Sequence, residues 1–165
     1  MPLRKNPPIT IRTYQPGDAG YVAYRHGVLY AREYGFDHVF EKYVLQSLSK
    51  FLEEPAKGEI WMAEVGGVIA GFIGLVEIDK TTAQLRWFLM EPEFRGIGLG
   101  RRLMETLMDY CRQKGYTHIM LWTFKGLDAA VHLYQKDGFT LTEEKENHEW
   151  KDLLIEQRWD LALKY

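Results

Sequence analysis

The 165-residue sequence predicts a mixed α/β fold, a mostly antiparallel sheet flanked by helices on both faces. Three observations carry that expectation. Apolar, partly β-branched stretches over 59–65, 68–78 and 84–90 are separated by short turn signals, the pattern of a strand meander. Two helical stretches precede the meander between 18 and 54, and a third over 98–114 stands between two strands, which implies a parallel crossover.

Taken in order, residues 9–14 alternate apolar and polar as a half-buried strand does, and Pro16-Gly17-Asp18 turns the chain into a helix over 18–33 that ends at Gly35. Asp37 is the N-cap of a second helix, which stops before Pro55. Gly66-Gly67 is a two-residue hairpin signal between the first two meander strands. Residues 79–82 turn the chain again, and Pro92, which cannot donate to a ladder, halts the third strand after Met90. On the following helix Leu99, Leu103, Leu107 and Tyr110/Cys111 form one stripe, and Gly115 supplies a left-handed cap. Residues 117–124 form a strand. Leu127, Ala130, Val131 and Tyr134 then fall at i, i+3, i+4 and i+7 of a short helix closed by Gly138, and strands over 139–144 and 155–163 complete the chain. The order is β-α-α-β-β-β-α-β-α-β-β, with residues 1–8 as a tail and 9–165 as one domain.

Composition limits what such a domain does. With 46% hydrophobic residues the chain buries a core without a disulfide or structural metal, which excludes disorder. The 21 basic residues against 23 acidic ones give a net charge of −2, so no basic face advertises nucleic acid. The single cysteine, Cys111, and the lack of a charged-then-apolar leader predict a soluble protein of the reducing cytosol, not secreted. The apolar run over 65–76 is broken by glycines and falls short of the about 20 residues that span a membrane. Asp128 and His132 have the spacing of a metal pair but no third ligand, no G-x-S-x-G elbow is present, and Cys111 lies on the packed stripe. No metal, no membrane and no nucleic-acid partner are therefore expected.

The segment Glu91-Pro92-Glu93-Phe94-Arg95-Gly96-Ile97-Gly98-Leu99-Gly100 joins a strand to an amphipathic helix. At a helix N-terminus unpaired N–H groups and the positive end of the helix dipole converge on an anion such as a phosphate or pyrophosphate. Arg101 and Arg102, disfavoured in a first turn by the dipole alone, suit an anionic ligand there; a solvated basic edge is the plain alternative. A Walker A loop is excluded because no Gly-Lys-Ser/Thr follows, and the G-x-G-x-G spacing with no acid in 117–124 departs from the dinucleotide fingerprint.

What remains is Arg95-x-x-Gly98-x-Gly100, and here the sequence resembles the GNAT superfamily of acetyl-CoA-dependent N-acyltransferases. Downstream, Ala130-Val131-His132-Leu133-Tyr134-Gln135-Lys136-Asp137-Gly138-Phe139 resembles that family's tyrosine segment, and the two motifs are one helix and one strand apart as its topology requires. A narrower likeness, over 26–37 and 156–161, is to the acetyltransferase half of MarR-like/GNAT fusion regulators; with eight residues before the first strand, no winged helix and no DNA-binding role are expected.

The resemblance implies a GNAT fold, acetyl-CoA as cosubstrate, and transfer of acetyl to a primary amine by direct attack in a ternary complex. It assigns coenzyme contacts to Phe88, Leu89 and Met90, whose apolar side chains equally suit an ordinary core strand, and to Arg95, Gly96, Ile97, Gly98, Leu99, Gly100 and Arg101; Leu127 stands where members often have an asparagine, so that contact either passes to Asp128 or is lost. Tyr134 is the implied general acid for the departing thiolate, although its place on the Leu127 stripe also fits a packing role. Tyr30, Glu33 and Tyr34 are expected to line the acceptor pocket, or a core stripe. Gln84 stands where some members carry a basic glutamate, leaving Glu77, Glu33, Glu41 and His38 as candidate bases. The acceptor, a small molecule or peptide bearing an amine, is left open among polyamines, amino acids, antibiotics and protein N-termini. A homodimer is the assembly the resemblance allows. A non-catalytic coenzyme-A-sensing or interaction module stands as the alternative.

Overall fold

The computed structural model describes residues 8–165 and places the elements in the predicted order. These are β1 (Ile9–Arg12), α1 (Asp18–Tyr34), α2 (His38–Glu53), β2 (Gly58–Val65), β3 (Val68–Glu77), β4 (Thr82–Met90), α3 (Leu99–Lys114), β5 (His118–Phe124), α4 (Asp128–Lys136), β6 (Thr140–Asn147) and β7 (Leu154–Ala162). The sheet has seven strands in the order β1-β2-β3-β4-β5-β7-β6. Every neighbouring pair is antiparallel except β4 and β5. Of the predicted tail, residues 1–7 lie outside the described residues.

The strand predicted over 9–14 ends at Arg12, because side chains take over from the ladder. The Arg12 guanidinium reaches Asp18 at 2.7 and 3.0 Å and Glu64 at 2.9 Å, and the Tyr14 N–H donates to Glu59 Oε1 at 3.1 Å. Asp37 caps α2, accepting from the Val39 N–H at 2.9 Å.

Two cores lie on opposite faces of the sheet. Leu99, Leu103, Met104 and Leu107 of α3 pack with Ile73, Leu75, Ile119 and Leu121 on one face. On the other, Val22 and Leu29 of α1 and Phe40, Val44 and Leu48 of α2 pack with Ile60, Met62 and Phe72. Cys111 belongs to the first core, where burial pushes its thiol up to about 12, an inert packing role.

β4 changes faces midway. Ala83 and Leu85 point into the α3 core, whereas Trp87 and Leu89, of the same parity, point into the α1/α2 core. The switch is a bulge: Phe72 pairs with Leu89 but Gly74 pairs with Arg86, so β4 carries one residue more than β3 there. Trp87 absorbs it with φ +48°, left-handed for a bulky residue. Its indole lies over Gly74, where a Cβ would come within 2.3 Å of Trp87 Cε3, and its Nε1 donates to Ser47 Oγ at 3.0 Å. Only glycine at 74 leaves room for that ring.

Candidate active site

The parallel pairing of β4 with β5 runs from Thr82–His118 to Gln84–Met120 and stops. Beyond it β4 bends through its bulge while β5 stays with β7 as far as Phe124–Glu156. The two central strands therefore part, and the edge of β4 from Phe88 onward has no β5 partner for its backbone groups. An extended ligand can pair with such an edge as an added strand does.

One side of the split opens into a groove of about 770 Å³, within the size range of small-molecule sites. Phe88, Leu89 and Met90 form one wall, Arg95, Gly96, Gly98, Leu99, Gly100 and Arg101 its floor, and Asp128 with Leu127 the start of α4 opposite. Of the residues expected at this ligand, Ile97 does not line the groove; its side chain is exposed. Gly96 and Gly98 have φ of +83° and +81°, and the first intrahelical bond is Arg102 N–H to the Gly98 carbonyl at 3.2 Å. The N–H groups of Leu99, Gly100 and Arg101 precede it and face a helix N-terminus built to receive an anion. Arg102 does not contribute, because its guanidinium turns to the Ile9 carbonyl at 3.2 Å.

The loop is fixed at both ends. Glu91, buried, takes a bidentate pair from Arg25 of α1 at 2.6 and 2.8 Å, and its N–H donates to the Ala70 carbonyl. Arg95 donates through Nε to the Met90 carbonyl at 3.3 Å and pairs with Glu33 at 2.9 Å. Glu33 and Tyr34, on the last turn of α1, line this groove.

The other side of the split is a chamber of about 120 Å³ between β4, β5, α2 and the segment before β7. Tyr30, Phe88, Leu127 and Ala130 border both cavities, so groove and chamber meet there. Tyr134 lines the chamber, its ring packed 6.2 Å from that of Phe88 and 5.9 Å from that of Phe139. Packing and access coexist at this residue. Burial, reinforced by Tyr30, holds its phenol well above the ordinary tyrosine value, so it is protonated at neutral pH. Tyr30 is raised for the same reason, desolvation first. His26, buried beneath the chamber with Nδ1 3.0 Å from the Val22 carbonyl, is lowered to about 4 by desolvation and is neutral.

None of the four base candidates lines the chamber. Glu77 accepts from the Tyr116 hydroxyl at 2.9 Å, Glu33 pairs with Arg95, Glu41 lies against Gly27, and His38 begins α2. Gln84 does line it, and the carboxylate that lines it is Glu156 of β7. Sequence reasoning missed Glu156. Its one signal was an acid at the parity of the buried Leu154 in β7. Among the described residues no group of three His, Cys, Asp or Glu side chains is placed to hold a metal ion, and no helix is long and apolar enough to cross a membrane.

The sequence pattern of the acetyltransferase (GNAT) family matches residues 21–139, well over half of the chain. The chain belongs to the GNAT family. Human N-acetyltransferase 8B is 30% identical over 99 residues, covering 57% of this chain and 44% of the relative, and N-acetyltransferase 8 of Rattus norvegicus is 32% identical over the same length and shares. The chain thus spans less than half the length of these relatives. Ard1 of Thermoplasma volcanium has the same fold, with a TM-score of 0.76 and 24% identity over 95% of this chain and 99% of that one. So does a GNAT family acetyltransferase from Elizabethkingia anophelis with acetyl-CoA bound, at TM-score 0.68 and 18% identity over 94% and 98%. The strand split, the glycine loop and the bulge of β4 thereby belong to a GNAT domain.

Proposed function

We propose that this GNAT domain transfers the acetyl group of acetyl-CoA to a primary amine by direct attack within a ternary complex. One observation carries the reading: a groove floored by an anion-receiving glycine loop opens, at Tyr30, Phe88, Leu127 and Ala130, onto a separate chamber that holds Tyr134. Two reactants then reach one junction from opposite sides, which converts a bimolecular encounter into a positioned one. The residues of the groove suit acetyl-CoA: N–H groups at 99–101 and Arg101 for the diphosphate, and the bare edge of β4 from Phe88 to Met90 for the amide-bearing arm.

Tyr134 holds its proton at neutral pH and acts as a relay, giving it to the departing sulfur, whose thiol has a pKa near roughly 8.5, as it takes one from the acylated, positively charged nitrogen. The backbone N–H groups at the parted edge of β4 polarise the carbonyl. Gln84 in the chamber favours a second reading, a coenzyme-A-binding module without catalysis, because an amide accepts no ammonium proton. Thiol release from acetyl-CoA with a panel of small-molecule and peptide amines separates them. Amine-dependent release supports transfer; tight coenzyme A binding with no such release supports the module.

A further inference from the structure

The acceptor side carries chemistry of its own. Glu156, with a side chain 12% exposed, is the carboxylate among the chamber's lining residues, and it stands in register with Phe124 on β5 and Lys145 on β6. The Lys145 ammonium lies 3.7 Å from Glu156 Oε2 and 4.4 Å from the centre of the Trp122 ring, which also lines the chamber. A primary ammonium therefore already sits between a carboxylate and an indole face at this corner, the two groups that recognise such a cation. Lys145 itself is half-exposed on the edge strand, and at 3.7 Å from a buried carboxylate its ammonium is the end of the pair that solvent reaches and an incoming amine can displace.

Aromatic rings make up much of the rest of the chamber, beside the polar side chains of Ser47, Gln84, Arg86 and Thr123. Phe40, Tyr43, Trp87 and Trp150 form its walls, with Tyr43 and Phe40 within 5.1 and 5.2 Å of Trp150 ring to ring. Its volume of about 120 Å³ is close to the ~150 Å³ apolar cavity that takes up benzene. Arg86 also lines the chamber, donating to the Tyr43 hydroxyl at 3.1 Å, and repels a second positive charge on an incoming molecule.

Resting on the transfer reaction above, we propose that Glu156 and Trp122 form the ammonium subsite, that Glu156 is the base, and that the acceptor is a monoamine on an apolar, aromatic-sized body. Glu156 takes one proton from the ammonium. The neutral nitrogen attacks the thioester carbonyl carbon, the C–N bond forms, and the C–S bond breaks with its electron pair passing to sulfur. Tyr134 protonates the sulfur and recovers a proton from the nitrogen. The products are an amide, a free thiol and one proton released from Glu156 to solvent.

The test titrates 2-phenylethylamine and spermidine into the full chain saturated with coenzyme A, by calorimetry, and measures thiol release from acetyl-CoA with each amine. 2-Phenylethylamine is expected to bind at least tenfold more tightly than spermidine. Glu156→Gln is expected to weaken that binding at least tenfold and to lower kcat about 10²–10⁴-fold, with coenzyme A affinity and melting midpoint unchanged. Lys145→Met, which removes the resident ammonium, is expected to tighten 2-phenylethylamine about two- to fivefold. Tighter binding of spermidine, Glu156→Gln turnover within threefold of wild type, or weaker binding in Lys145→Met overturns the proposal. Binding that depends on Glu156 without thiol release rejects acetyl transfer and leaves the subsite standing. Thiol release with other amines but no binding of 2-phenylethylamine rejects the subsite and leaves the transfer.

Discussion

Gly98 isolates the backbone's part in coenzyme binding. It caps α3 with φ +81°, and a Cβ built there meets nothing within 4 Å. Gly98→Ala therefore adds a methyl group to open space, and its cost is that of a left-handed alanine, about 1–2 kcal/mol. The loop before it is exposed while Leu99 and Gly100 are buried, so the variant relieves that cost by rotating to negative φ, which swings the N–H groups of Gly96, Ile97 and residue 98 out of line with the amides that begin α3. The lost energy then appears in the ligand: calorimetry should show the Kd for coenzyme A raised about 5–30-fold, with little change in melting midpoint. Gly98→Asn is the control, because asparagine adopts the left-handed region more readily; it should recover most of the affinity. The neighbouring Gly100 contrasts with it, since a Cβ there would meet Leu133 Cδ1 at 2.9 Å and Met90 Cε at 3.1 Å, a packing conflict. Wild-type affinity in Gly98→Ala, or equal losses in the alanine and asparagine variants, would refute the reasoning that the backbone angle aims the amides.

Three further outcomes follow from the same geometry. Tyr134→Phe keeps the ring packed on Phe88 and Phe139 and removes the hydroxyl, so steady-state thiol release should fall about 10²–10⁴-fold at unchanged coenzyme A affinity; turnover near wild type removes Tyr134 from the mechanism. Gly74→Ala drives a methyl into the Trp87 ring, 2.3 Å from Cε3, and should cost about 1–3 kcal/mol in urea unfolding, with wild-type stability counting against the bulge as the fixed feature of β4. His26 is lowered to about 4 in the fold. Between that value and the unfolded value of about 6.5 the unfolded chain binds the extra proton, so stability falls as pH drops through this window. Urea titrations at pH 7 and pH 4.5 should show wild type losing about 2–3 kcal/mol more than His26→Asn, and equal losses would show that the imidazole is not excluded from water.

The order of the elements, the N-cap at Asp37 and the glycine loop after Met90 were legible in the sequence, because each is written in a short stretch of chain. Alternation, helical spacing and cap residues act over one or two turns, and a glycine in a positive-φ position carries its own conformational requirement. From the same signals the Tyr134 helix and its distance from the loop could be placed. Other features depend on partners far away in the chain. Strict alternation in β4 puts Trp87 and Leu89 on the face of Ala83 and Leu85; the bulge, made possible by Gly74 on the neighbouring strand, turns them to the opposite core. Glu33 faces the loop because Arg95, 62 residues away, pairs with its carboxylate. Glu156 reaches the chamber because β7 pairs with β5, which brings it beside Phe124 and the Trp122 ring. Local periodicity fixes which residues are strand, helix or loop, whereas the face a side chain presents at the parted strands follows from register, and register is settled only when distant strands meet.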